Sequence, residues 1–466
     1  MNKKLPILAL VVMLSGCMVG PDFRSPQIAV PDSWAGTNAT AAPVGMSTWW
    51  QTFNDPKLTA LVQEALASNL DVKLAEARLR ESRAAHGVAE GGLWPTLNTT
   101  ASYQRNDTSA KGGTTPNGQN LFQAGFDAVW ELDIFGGIRR NVESAQANTQ
   151  AAQEGLHDAQ VTLAAEVALN YIQLRGFQQQ IAVTQENLKA QQHTAEITRQ
   201  KQGAGFVGTL DVANADAQVA TTKSQIPVLE VSAQQSIYAL SVLLGKPPAY
   251  LLTELSEAQP MPVTPPEVPV GLPSDLARRR PDIREAEAQL HAATAQIGVA
   301  TADLFPKFSL TGDIGWQTNL LSNGFTNPTR GSSFGPSVDW ALFQGGSIVS
   351  NIHEQEALRD ESLVTYQKTV LTALQDVENA LIAYTKERDH RQALNDAVVA
   401  SRKAVDVSTQ LYSAGQTDFL NVLQAQNTLY ASENALVQSN SSTGQDLIAL
   451  YKALGGGWDD EAGGVK

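Results

Sequence analysis

The chain has 466 residues, 42% of them apolar and only 17% charged, and acids exceed bases by 47 to 33 for a formal net charge of -14. A soluble domain is typically about 25% charged, so neutral Gln, Asn, Ser and Thr carry the polar surface, and the acid excess argues against a nucleic-acid partner. A single cysteine, Cys17, excludes an intrachain disulfide and a cysteine zinc site, six histidines form no metal motif, and no apolar run reaches the roughly 18 residues of a membrane-spanning helix.

Lys3 and Lys4 precede an apolar stretch from Leu5 to Leu14, the pattern expected of a secretory signal peptide over 1–16. The stretch ends in Leu14-Ser15-Gly16-Cys17, which is similar to a bacterial lipobox, so Cys17 is expected to carry a covalent lipid. Met18 follows it; by resemblance to lipoprotein sorting rules, an Asp there would favour retention at the inner membrane. Residues 17–56 read as an extended segment behind this anchor.

Beyond it the chain repeats itself at an offset of about 210 residues. Leu93-Trp94-Pro95 meets Leu304-Phe305-Pro306, Trp130 meets Trp340, Ala204-Gly205 meets Ala414-Gly415, and Leu244-Gly245 meets Leu454-Gly455. The boundaries are a first repeat over 57–245, a proline-rich connector over 246–273, a second repeat over 274–458 and a tail over 459–466.

Each repeat is expected to begin with a helix, Pro56–Glu90 or Ser274–Asp303, followed by two strands. In the first copy Phe122, Ala124, Phe126, Ala128, Trp130, Leu132 and Ile134 alternate with Gln123, Asp127, Glu131 and Asp133, a period of two with one apolar and one polar face. The second copy spans Phe334–Leu342. Partner strands are Leu97–Tyr103 and Phe308–Trp316, reached across the polar loops Gln104–Asn120 and Gln317–Ser333. A long helix follows in each copy. Ser347–Ala414 contains neither Gly nor Pro, and Leu363, Val370, Val377, Tyr384, Val398, Val405 and Tyr412 keep a seven-residue spacing that only Arg391 breaks. Its counterpart Ile138–Gln202 places Val167, Leu174, Ile181, Leu188 and Ala195 in the same phase. Helices over Thr209–Leu244 and Thr417–Leu454 close the copies, and Pro227 is expected to kink or interrupt the first.

Alternating strands with long loops at one end fit transmembrane hairpins. Four strands cannot close a barrel, and lipid tolerates no open sheet edge, so the barrel must be shared between chains. The polar strand face then lines a lumen with Asp127, Glu131, Asp133, Asp313 and Asp339 on it.

At this point the chain closely resembles an outer-membrane efflux lipoprotein of the TolC family, of the OprM-like, NodT-type kind. The runs that carry the resemblance are Val19-Gly20-Pro21-Asp22-Phe23, Leu272-Pro273-Ser274-Asp275-Leu276 with Arg279-Arg280-Pro281-Asp282-Ile283, Trp130-Glu131-Leu132-Asp133-Ile134-Phe135-Gly136, and Leu450-Tyr451-Lys452-Ala453-Leu454-Gly455. The resemblance implies a mainly α fold with transmembrane β: a duplicated unit that forms, as a homotrimer, a 12-stranded barrel continuous with a periplasmic α-helical barrel. It implies the exit duct of a tripartite pump in the bacterial outer membrane, extending into the periplasm, with a periplasmic adaptor and an inner-membrane RND-type transporter as partners. The adaptor would meet the helix-hairpin tips at Gly205, Phe206, Val207, Gly415, Gln416 and Thr417. Asp211 and Tyr412 match positions that hold neighbouring helices together at the closed end, and Leu420 matches a constriction residue. Gln424 and Asn427 stand where relatives carry an acid and an arginine, which removes the charged closure. No cofactor or metal is implied beyond the lipid on Cys17.

Three motifs lack their context. Gly203-Ala204-Gly205-Phe206-Val207-Gly208 follows a long helix, not a strand, so it is no dinucleotide fingerprint. Gly331-Ser332-Ser333-Phe334-Gly335 runs into a strand, not a helix, and no nucleophile elbow results. His353-Glu354 lacks a second histidine at Ala357. No enzyme is visible. A type I protein-secretion exit channel and a lipid-anchored coiled-coil protein without a pore are the competing readings.

Overall fold

The computed structural model describes residues 18–35, 46–107, 118–265, 273–320, 322, 326 and 329–458. The expected signal peptide, Cys17, the tail 459–466 and 266–272 of the connector lie outside them. The main elements are α1 (Pro56–Ser68), α2 (Leu70–Gly91), β1 (Thr96–Asp107), β2 (Gly118–Leu132), α3 (Gly137–Gly203), α4 (Thr209–Leu243), α5 (Pro281–Ala302), β3 (Lys307–Thr318), β4 (Arg330–Asp339), α6 (Ser347–Ser413) and α7 (Phe419–Ala453). The duplication is visible in the lengths: α3 and α6 have 67 residues each, α4 and α7 have 35, and α2 and α5 have 22.

Local chemistry sets the boundaries. Asp55 caps α1, its carboxylate accepting the Lys57 and Leu58 amides at 2.8 and 3.0 Å, with Pro56 in the first turn. The single helix expected over Pro56–Glu90 is two. Asn69 leaves the helical conformation (ψ 144°), and its Oδ1 accepts the Asp71 and Val72 amides at 2.7 and 3.1 Å, starting α2 afresh. Its Nδ2 donates to the Leu243 carbonyl at 2.8 Å, which fixes the break against the end of α4. Conversely α4 continues through Pro227. Pro227 is exposed, so water can satisfy the carbonyl that its missing N–H leaves unbonded.

The four strands form one antiparallel sheet in the order β1-β2-β3-β4, and the β2–β3 pairing joins the two copies. The register places Thr100, Ser102, Gln123, Asp127, Ser309, Asp313, Ser333 and Ser337 on one face, and Leu97, Tyr103, Phe126, Trp130, Leu310, Ile314, Phe334 and Val338 on the other. The last strand differs from the expected Phe334–Leu342: β4 begins at Arg330 and ends at Asp339. Trp340 lies just past it, and its indole N–H donates to the Leu304 carbonyl at 3.1 Å, as that of Trp130, inside β2, donates to Leu93 at 3.0 Å.

The chain divides into two compact units. One holds the sheet, Ala77–Gln153, Glu285–Lys368 and the described residues up to Ile28. The other consists of Ala29–Glu76, Glu154–Arg284 and the described residues from Thr369 onward, and it carries a large apolar core. There Trp49 stacks on Tyr451 (centroids 5.2 Å apart, planes 15°) among Leu58, Leu61, Val167, Ile172, Leu240 and Leu447. Each such buried side chain contributes about 1.5–3 kcal/mol.

Candidate functional site

The polar sheet face carries a continuous row. Asp127 lies directly opposite Asp313, with Asn98 flanking one and Ser333 the other. Asn98 Nδ2 donates to Asp127 Oδ2 at 3.1 Å, and the Ser333 hydroxyl donates to Asp313 Oδ1. Like charges opposite one another destabilise a sheet; here each has a donor of its own on the outer side. Glu131 stands opposite Ser309, and Asp339 opposite Lys307. Asp133 leaves the row expected for it. It lies beyond the end of β2 and caps α3, accepting the Ile138 and Arg139 amides at 3.1 and 2.9 Å and Arg139 Nε at 3.1 Å.

The residues after the expected anchor form a strap on the sheet-bearing unit. Val19 N–H donates to the Phe135 carbonyl at 3.1 Å. Arg140, 1% exposed, donates to the Val19 and Gly20 carbonyls at 3.0 and 3.3 Å, to Asp22 at 2.7 Å and to Glu143 at 2.8 Å. Phe23 stacks on His291 at 4.4 Å, and His291 Nε2 lies 3.0 Å from Glu143. Gly20 has φ +86°, and a Cβ there would stand 2.4 Å from Gly298 Cα. Glycine is therefore required at Gly20 both for conformation and for close approach.

The hairpin tips in the two copies share one backbone design. Gly205 (φ +78°) and Gly415 (φ +75°) end α3 and α6. Phe206 and Gln416 amides reach back to the Lys201 and Leu411 carbonyls at 2.9 and 2.8 Å, the bonding of a Schellman end. The side chains differ: Phe206 is 81% exposed in the first tip, where the second has exposed Gln416. Val207 and Thr417 are half-buried.

Next to the tips, Leu420, Gln424 and Asn427 are exposed on one face of α7. Tyr412 and Asp211 are engaged separately. Tyr412 is buried against Ala195, Ala215, Phe419 and Val422; its hydroxyl lies 3.3 Å from Thr198 Oγ1, and Lys201 Nζ sits 4.3 Å from its ring centroid. The Asp211 carboxylate accepts the Gly208 amide at 3.3 Å, at the start of α4.

Near the tips the buried stripe of α3 follows the heptads only in part: Ala195 is buried as expected. Ile181 and Leu188 are half-buried, while Thr184, Asn187, Gln191, Thr194 and Thr198 are buried at the same helical spacing. They meet Tyr430 at 3.3 Å, Glu433 at 2.8 Å, Gln426 at 2.8 Å and Tyr412 at 3.3 Å. Gln191 has no hydrogen-bond partner for either amide atom among the described residues. The only advance signal was the recurrence of Thr, Asn and Gln every three or four residues.

In the second unit a cavity of about 460 Å³ holds Asp158, Asp446, Arg280 and Lys452. Burial pushes the Asp158 carboxyl above its ordinary pKa, helped by Asp282 and opposed by Lys452 and Arg280. Burial raises Asp446 too, with Glu387 adding to it.

The profile of the outer membrane efflux protein family matches residues 61–246 and again 272–456. The chain belongs to that family. It is 32% identical over 452 residues to nodulation protein T of Rhizobium leguminosarum bv. trifolii, covering 97% of both chains. It is 32% identical over 473 residues to the pyoverdine export outer membrane protein OpmQ of Pseudomonas aeruginosa, covering 99% of this chain and 98% of the relative. The structure of the outer-membrane channel OprN superposes with a TM-score of 0.88 at 37% identity, covering 95% of this chain and all of that one. As a member of the outer membrane efflux protein family the chain is a passive outer-membrane exit duct of an efflux pump, a helical barrel with a β domain, and neither an enzyme nor a cofactor protein.

Proposed function

We propose that the chain works as a homotrimer in which three four-stranded sheets close one 12-stranded barrel, anchored by a lipid on Cys17. It releases small toxic organic compounds that an inner-membrane RND-type transporter delivers through a periplasmic adaptor. The observation that carries this reading is the sheet: one face apolar, one polar, and both β1 and β4 left as edges in the single chain. A sheet of this kind cannot stand alone in lipid. Relatives include outer membrane proteins named for pyoverdine export, antibiotic efflux and toluene efflux, which supports small organic molecules as the class.

The adaptor docks at Gly205–Val207 and Gly415–Thr417, where the turns are equivalent but the side chains are not. Leu420, Gln424 and Asn427 line the periplasmic constriction, and amide hydrogen bonds close it in place of ion pairs. Tyr412 and Asp211 act within their own chain as supports of that end. Intracellular accumulation of a fluorescent dye in a deletion strain, with co-purification of the adaptor, tests the reading. Raised accumulation restored by the gene is expected; normal accumulation with no adaptor bound would leave only the fold.

A further inference from the structure

A cavity of about 480 Å³ opens at the inner end of the polar sheet face, where β2 and β3 pass into the helices. Val88 of α2, Ile138 of α3 and Val299 of α5 give it apolar walls, and Glu131, Asp133, Asp303 and Lys307 line its polar end. The charges there do not balance. Arg139 holds Asp133 at 3.1 Å, and Lys307 holds Asp303 at 2.9 Å. Glu131 makes no hydrogen bond among the described residues and shares the field of the one lysine, Lys307, with Asp303 and Asp339, so the acids outnumber the cations.

A wall that only conducts needs to be wetted and smooth. A cavity of drug size with apolar walls and a few placed polar groups has the shape of a ligand site. We propose that this niche is a transit site for organic monocations with a flat apolar body, the body lying on Val88, Ile138 and Val299 and the charge against Glu131. An anion finds no free cation there, since Lys307 is paired with Asp303, and a neutral molecule leaves Glu131 unused. The inference rests on the reading that the polar sheet face lines the pore.

The test uses acylated full-length protein in lipid nanodiscs with ethidium as the probe, followed by fluorescence anisotropy. Saturable binding is expected. Glu131→Gln, which keeps the shape, should weaken it about fivefold, the size of a solvent-facing ion pair. Ala85→Trp, on the exposed side of α2 that lines the cavity, should remove the binding by filling the space. Unchanged heat-modifiable migration shows that each variant is folded. The niche is overturned by absent saturable binding to the wild type, by equal binding to both variants, or by equal affinity for uncharged phenanthridine. Conductance of the same preparation in planar bilayers tests the channel reading apart from this. A conducting protein that ignores ethidium sinks the niche alone, whereas a protein with no conductance sinks the channel.

Discussion

Arg140 places one guanidinium against two carbonyls and two carboxylates, and three of those four acceptors belong to the strap. A planar fork is needed for this, and the ammonium of lysine cannot reproduce it. Arg140→Lys should release the strap at a cost of about 2 kcal/mol, the scale of a charged hydrogen bond lost. Limited trypsinolysis reads it directly, because Arg24 lies just past the strap and should be cut faster in the variant. The run Val19-Gly20-Pro21-Asp22-Phe23 was visible in the sequence as a family feature, but its receiver was not. Arg140 and Asp22 are 118 positions apart, and no periodicity links an arginine to a distant aspartate. Asp158 and Asp446 make a second prediction. Their carboxyls are raised by burial, so the folded chain holds those protons more tightly than the unfolded one. The stability they add is present below the ordinary carboxylate pKa and is lost as pH rises through the raised values. Asp158→Asn and Asp446→Asn should each melt higher than wild type at neutral pH, and the gain should shrink toward about pH 4 in scanning calorimetry.

At the scale of elements, strands and long helices were legible because their periods are written in single residues. The alternation in β2 gave its faces, and the Gly- and Pro-free run gave α6 almost to the residue. What escaped were places where side-chain hydrogen bonds override pattern. Asn69 splits a helix by bonding its own backbone, and the α3 stripe is buried although it is polar. That stripe should be the weaker half of the helix packing, since a buried amide without a partner costs free energy that an apolar side chain does not. Gln191→Leu is therefore expected to stabilise the tip-proximal bundle by about 1 kcal/mol. Hydrogen exchange should slow around Thr184–Thr198 and stay unchanged near Leu163–Leu174, where the core is already apolar. Tyr412→Ala should do the opposite, at about 3 kcal/mol for emptying a buried aromatic site. If Tyr412 supports the constriction, the same variant should also raise single-channel conductance; an unchanged conductance would confine its role to packing.

At the scale of the whole molecule, composition anticipated a property that only the register could place. The acid excess was plain from the start, yet five acids assigned to one face became four, because Asp133 turns away to cap α3. Of the four, Asp339 faces Lys307 across the ladder, and Glu131 lies in the niche at the inner end. On the proposed reading that this face lines the barrel, the acids at its middle are Asp127 and Asp313, adjacent on neighbouring strands and hydrogen-bonded by the neutral donors Asn98 and Ser333. In a trimer that pair recurs at one level around the pore. Low-dielectric walls focus its field, so cations are enriched there and anions are repelled. Asp127→Asn combined with Asp313→Asn should leave the ladder hydrogen bonds and the fold in place, because Asn keeps an acceptor for Asn98 and Ser333. Wild-type channels in a salt gradient should give a reversal potential of cation-selective sign, and the double variant should move it most of the way to zero. The preference should fall at high salt as the Debye length drops to about 3 Å at 1 M. An anion-selective wild type, or a double variant that keeps full cation preference, would mean that the selectivity is set in the helical part of the duct and not in the barrel.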